Sequence, residues 1–95
     1  IPYLAKKLSL TKKFDGAIAL GCVIQGETDH YDAVCRGVTY GVQKIAIEEN
    51  FPIAFGILMC KKIQHALDRS GNGEKNKGYE CGKTILELLT LCYGL

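Results

Sequence analysis

Apolar residues along this chain fall into two kinds of run, short continuous blocks and longer stretches at helical spacing. The first block spans 14–24, and its Ala17-Ile18-Ala19-Leu20 centre has no polar interruption, which predicts a strand buried on both faces. From His30 to Asn50, Val34, Val38, Val42, Ile45 and Ala46 recur at helical spacing and predict the longest helix. Gly37 and Gly41, four apart on it, open one face to close approach by another backbone or subunit. Phe51 and Pro52 end that helix and open a second strand over 53–58. A short helix over 61–70 follows through Ile63, Ala66 and Leu67, and Ser70-Gly71-Asn72-Gly73 stops it. Asn76 is placed to cap a last helix carrying Tyr79, Ile85, Leu88, Leu89 and Cys92. Ahead of the first strand, residues 1–13 set Leu4, Leu8 and Leu10 among lysines, the pattern of a short amphipathic helix interrupted near Ser9.

Two strands joined by a helix make one right-handed βαβ unit with a parallel sheet. The expected fold class is therefore α/β, a three-layer α/β/α arrangement. Two strands alone are few for such a sheet, so the sequence reads as the carboxyl-terminal part of a single larger domain covering 1–95, with amino-terminal strands outside this chain. Composition narrows the function classes. The chain has 95 residues, 47% of them hydrophobic and 23% charged, which excludes the disordered classes. A net charge of +2 is spread over mixed lysines and acids, so no nucleic acid or anionic membrane is expected as a partner. No apolar run is long enough to span a bilayer, and Ile1-Pro2-Tyr3-Leu4-Ala5-Lys6-Lys7 is too broken by charge for a secretory signal. A soluble, cytoplasmic protein is the expectation.

Cys22, Cys35, Cys60, Cys81 and Cys92 are odd in number and form no C-x-x-C pair, so they are expected as reduced thiols of the core. His30 and His65 have no companions at ligand spacing, and no metal is expected. The junction Gly21-Cys22-Val23-Ile24-Gln25-Gly26-Glu27-Thr28-Asp29-His30-Tyr31-Asp32 carries the chemistry. There an apolar strand gives way to a glycine turn with capping oxygens and a helix start, the place where parallel α/β proteins bind ligands. Free backbone N–H groups at such a helix start favour an anion, usually a phosphate. His30 falls in the first helical turn, where the helix dipole favours a neutral imidazole able to accept a proton at pH 7.

With this junction, Pro52-Ile53-Ala54-Phe55-Gly56-Ile57-Leu58, Ala66-Leu67-Asp68-Arg69-Ser70-Gly71 and Asn76-Lys77-Gly78 stand in order along nearly the whole chain. In these motifs and their separations the chain resembles the 6,7-dimethyl-8-ribityllumazine synthase family. The resemblance implies a flavodoxin-like parallel sheet and a transferase of riboflavin biosynthesis. Its reaction condenses 5-amino-6-ribitylaminouracil with 3,4-dihydroxy-2-butanone 4-phosphate, releasing phosphate and water without a cofactor.

By the same resemblance His30 takes the proton-transfer position, and Glu27 and Thr28 form the turn that binds the substrate phosphate. Arg69 takes the phosphate clamp, where a guanidinium fork suits a phosphate better than an ammonium. Lys77 takes the lysine of the Asn-Lys-Gly motif, Cys22, Val23 and Ile24 line the pyrimidine site, and Phe55 is an aromatic offered by the neighbouring subunit. The family assembles homo-oligomers, pentamers at minimum and in many members a shell of 60 subunits. One subunit supplies the histidine and phosphate turn, and the next supplies the phenylalanine, arginine and lysine. The stretch from Arg69 to Lys77 carries no insertion relative to shell-forming members.

Two departures stand out. Met59, Cys60 and Lys61 replace the usual pair of threonines and acid after the second strand. The family's amino-terminal third, with two strands and an aromatic that stacks on the pyrimidine, has no counterpart in this sequence. Rival readings are a non-catalytic lumazine- or flavin-binding relative, a subunit that only builds a shell, and an unrelated flavodoxin-like phosphate-binding domain. Retention of His30 and Lys77 disfavours the first, and of Thr28 and Arg69 the second.

Overall fold

In the computed structural model the described residues are 1–26, 30–71, 73 and 76–94. Among these residues six elements follow in order: α1 (Pro2–Thr11), β1 (Ala17–Ile24), α2 (His30–Glu48), β2 (Ile53–Cys60), α3 (Ile63–Asp68) and α4 (Lys77–Gly94). β1 and β2 pair in parallel, with Ala17 opposite Ile53 and Ile24 opposite Cys60. The expected α/β class and parallel βαβ unit are what the chain forms.

Alternation along the paired strands divides the sheet into two faces. Ala19, Gly21, Val23 and Ile57 lie on the side of α1 and α2, whereas Ala54 and Gly56 lie on the side of α4. On the α4 side Cys81 and Ile85 bury against Ala54, with Leu88 and Leu89 packed at the margin, so one helical stripe forms the core. Gly56 permits this approach: a Cβ there would stand 2.7 Å from Cys81 Sγ and 2.7 Å from Leu20 Cδ2. On the other side α1 crosses α2 where Pro2 sits against Gly41, and Lys6 pairs with Glu49. Of the two glycines expected to admit a neighbour, Gly41 does so within this chain and Gly37 faces open space.

Several boundaries and burials differ from the sequence expectation, each for a local reason. β1 starts at Ala17 rather than at residue 14, because the pairing begins where Ala17 N–H donates to Pro52 O at 2.9 Å. Its α4-side face is covered only in part: Ile18, Leu20 and Ile24 are 40%, 56% and 41% exposed, so the continuous apolar run does not mean full burial on both faces within this chain. β2 continues through Met59 and Cys60, carried by its register with Val23 and Ile24. α1 runs through Ser9, which is buried and donates its hydroxyl to Lys6 O at 2.7 Å, so the serine is absorbed rather than disruptive. α3 is shorter than 61–70, and its end is tied by Arg69 N–H donating to His65 O at 3.3 Å. Among the five free cysteines only Cys60 and Cys81 are buried; Cys22 and Cys92 are exposed.

α2 ends two residues before the predicted limit, in a Schellman turn. Phe51 N–H donates to Ala46 O (3.0 Å) and Asn50 N–H to Ile47 O (3.4 Å), with Asn50 left-handed at φ 51°. Asparagine tolerates that conformation, and the turn drops Phe51 into a buried position ahead of β2. Asn76 caps α4 as expected, its Oδ1 accepting from Tyr79 N–H at 3.0 Å while its Nδ2 donates to Gly71 O at 2.7 Å. Asn76→Ala removes both bonds and is expected to lower stability by about 1 kcal/mol, read as a lower urea midpoint at unchanged slope.

Candidate functional site

An open cavity of about 530 Å³ lies across the carboxyl-terminal end of β2. Tyr31 of α2, Met59 and Cys60 of β2, Lys61, His65 of α3, Arg69 and Lys77 line it. Among the described residues no carboxylate lines it, and those that do present cations and a histidine against an apolar floor that includes Ile57. This is the end of a parallel sheet at which ligands are normally taken up.

Backbone geometry brings Arg69 and Lys77 together. Arg69 closes α3, Lys77 opens α4, and Lys77 N–H donates to Arg69 O at 2.8 Å. That bond satisfies one of the amide donors left over at the helix start. A lysine is unfavourable at a helix start without an anion nearby, and the chain supplies one. Glu80 Oε2 accepts from Arg69 Nη2 at 2.9 Å and from Lys77 Nζ at 3.4 Å. Glu80 was absent from the sequence candidates, although the Lys77-to-Glu80 spacing of an i,i+3 pair was a readable signal.

The remaining candidates are distributed. His30 begins α2 and is exposed, adjacent in sequence to Tyr31 but not itself a lining residue of the basic cavity. Burial pushes the Tyr31 phenol above its ordinary value; the Cys35 thiol, by proximity and hydrogen bond, then Cys60 and Asp32 reinforce the shift. The phenol therefore stays protonated, a donor at neutral pH. Cys22 and Val23 line a second, largely apolar cavity of about 480 Å³, with Val34, Val38 and Ile57. Ile24 and Phe55 border neither cavity; Ile24 is exposed and Phe55 half-buried. Glu27 and Thr28 lie outside the described residues.

Tyr31, Lys61 and His65 join the basic cavity without having been singled out as ligand-binding residues. Lys61 is notable because it stands where the resemblance implies an acid. Met59 and Cys60 line the cavity with it, so the three residues that depart from the pattern after the second strand fall at one place. Among the described residues no three His, Cys, Asp or Glu side chains gather closely enough to hold a metal ion, and no helix is long and apolar enough to cross a membrane.

The fold and the cavity define a parallel α/β domain with a basic pocket at its strand ends. A family model described as 6,7-dimethyl-8-ribityllumazine synthase matches residues 1–92, and the chain belongs to that family. The 6,7-dimethyl-8-ribityllumazine synthase of Pediococcus pentosaceus is 45% identical over 91 residues, covering 96% of this chain and 58% of that protein. The protein of the same name from Lactiplantibacillus plantarum is 45% identical over 89 residues, 94% of this chain and 56% of that protein. That of Limosilactobacillus reuteri is 42% identical over 91 residues, 96% and 60% respectively. The chain thus spans between 56% and 60% of the length of these relatives.

Proposed function

We propose that the native protein condenses 5-amino-6-(D-ribitylamino)uracil with 3,4-dihydroxy-2-butanone 4-phosphate to 6,7-dimethyl-8-ribityllumazine, releasing phosphate and water. One observation carries this reading: in a chain of this family, Arg69 and Lys77 are held side by side in a basic pocket at the sheet's carboxyl end. Their charges suit a phosphate monoester, and holding the ester places the ketone carbon against the incoming amine.

The amine of the pyrimidine adds to the ketone carbonyl and loses water to give an imine. Phosphate is then eliminated, the resulting enol tautomerises to a ketone, and the ribitylamino nitrogen adds to that carbonyl and loses a second water to close the ring. Arg69 and Lys77 bind the phosphate and stabilise it as it departs, together with Glu27 and Thr28. His30 relays protons between the nitrogens and the leaving groups. Cys22, Val23 and Ile24 hold the pyrimidine, with Phe55 covering it from a neighbouring subunit. The reading includes a cytoplasmic homo-oligomer, a pentamer at minimum. The exposed position of His30, off the lining of its own chain's basic cavity, supports a site shared between subunits.

Lumazine formation followed optically with both substrates tests the reaction. The wild-type protein turns over, and His30→Ala lowers kcat by about tenfold to 100-fold, at or below the low end of what one acid–base group contributes, because holding the two substrates together supplies much of the rate. A native protein that forms no lumazine rejects the proposal.

A further inference from the structure

We infer that Glu80 is a positioning residue for the phosphate-binding pair, holding Arg69 and Lys77 in one setting before an anion arrives. The inference rests on the reading of that pair as phosphate-binding. A single carboxylate oxygen receives both cations, at 2.9 Å from Arg69 and 3.4 Å from Lys77. The two cations come from different elements, the end of α3 and the start of α4, and Glu80 stands one turn into α4. Its carboxylate therefore links α3 to α4 through side chains at the same place where Lys77 N–H and Arg69 O link them through the backbone.

Stability does not account for this arrangement. The Arg69, Glu80 and Lys77 side chains are 39%, 42% and 29% exposed, and ion pairs open to water to this degree add little to folding. Positioning does account for it. Two long cationic side chains brought to one cavity repel each other and carry much rotamer freedom, and each must be ordered when an anion binds. A carboxylate that holds both at the cavity wall removes part of that ordering cost in advance. Glu80 does not itself line the cavity, so it acts through the two cations rather than on a ligand.

Charge alone predicts the opposite effect, which makes the inference testable by sign. A carboxylate near an anion site repels the anion, so its removal would tighten binding if Glu80 acted only through its charge. If it positions the cations, its removal weakens binding. The probe is inorganic phosphate, titrated calorimetrically into the native protein and into its Glu80→Gln variant at fixed salt. Gln keeps the shape and one acceptor but not the charge.

The expected result is an approximately tenfold higher phosphate Kd for Glu80→Gln, with a thermal midpoint within about 2 °C of wild type. In the Arg69→Ala background the same substitution is expected to weaken phosphate binding by less than about twofold, because there is no guanidinium left to position. In steady-state assays Glu80→Gln raises KM for the phosphorylated ketone about tenfold and leaves kcat within about twofold, a split that general loosening of the fold would not give. Glu80→Asp, which keeps the charge with a shorter reach, recovers part of the affinity.

Unchanged or tighter phosphate binding by Glu80→Gln overturns the inference, as does a wild-type protein that binds no phosphate. Binding and turnover are scored separately. Absence of turnover with the phosphate result intact rejects the proposed reaction and leaves the positioning role of Glu80 standing.

Discussion

On the proposed reaction, Arg69→Ala is expected to lower kcat/KM for the phosphorylated ketone by about 100-fold or more in the native protein, the largest functional loss expected from any single side chain here. The estimate follows from the chemistry of the contact. A charged hydrogen bond to a phosphate is worth about 1.5–3 kcal/mol, and a guanidinium can make two in parallel. The loss falls on KM and on kcat together, since the same oxygens gain charge as phosphate departs. Arg69→Lys recovers only part of it, because an ammonium lacks the fork and the planar reach. Steady-state kinetics with the pyrimidine amine held saturating checks this. A loss of less than about fivefold for Arg69→Ala means that the phosphate is held elsewhere, and the proposed role of the basic cavity falls with it.

The largest structural effect belongs to Gly56. A Cβ at this position meets Cys81 Sγ and Leu20 Cδ2, both at 2.7 Å, and Ala19 O at 3.0 Å. Cys81 is buried and part of the α4 core, and Ala19 O is backbone of the neighbouring strand, so neither can swing aside cheaply. Gly56→Val is expected to destabilise by about 3 kcal/mol, the upper end of ordinary overpacking, seen as a lower denaturant midpoint. Gly37→Ala is the matched control. Its Cβ meets nothing within 4 Å inside this chain, and alanine improves a helix interior by up to about 1 kcal/mol. Equal losses for the two variants would show that α4 does not press on β2 at Gly56.

Helices and strand order were legible from sequence because their periodicities are strong. Val34, Val38, Val42 and Ile45 mark one helix face, and of these Val42 is 2% exposed. Asn76 could be read as a cap because its chemistry is local, and the cap is present. Burial was less legible. Ile18, Leu20 and Ile24 look the same in sequence whether their face is fully or partly covered, and within this chain α4 covers it only in part. The end of β2 was also hidden, since Met59 and Cys60 carry no strong strand preference and are held by pairing with β1.

At the candidate site, the resemblance directed attention to Arg69 and Lys77, but the carboxylate joining them was missed. Such a contact depends on how α3 and α4 meet, which no window of sequence displays. Lys61 and His65 were visible as residues and not as neighbours, because the return from β2 into α3 is what carries them to the same cavity. His30 shows the converse. Its position at a helix start was legible, whereas its place off the cavity wall required the arrangement of the elements around it.

The bond from Lys77 N–H to Arg69 O has a consequence for observing the pocket. Because the first amides of a helix have no partner within it, an ordinary amide at this position would exchange its hydrogen with water almost as fast as an unfolded chain. Here the exchange must await separation of α3 from α4. The Lys77 amide is thus a single-atom gauge of whether the two walls of the basic cavity are together, readable without any ligand and without waiting for the domain to unfold.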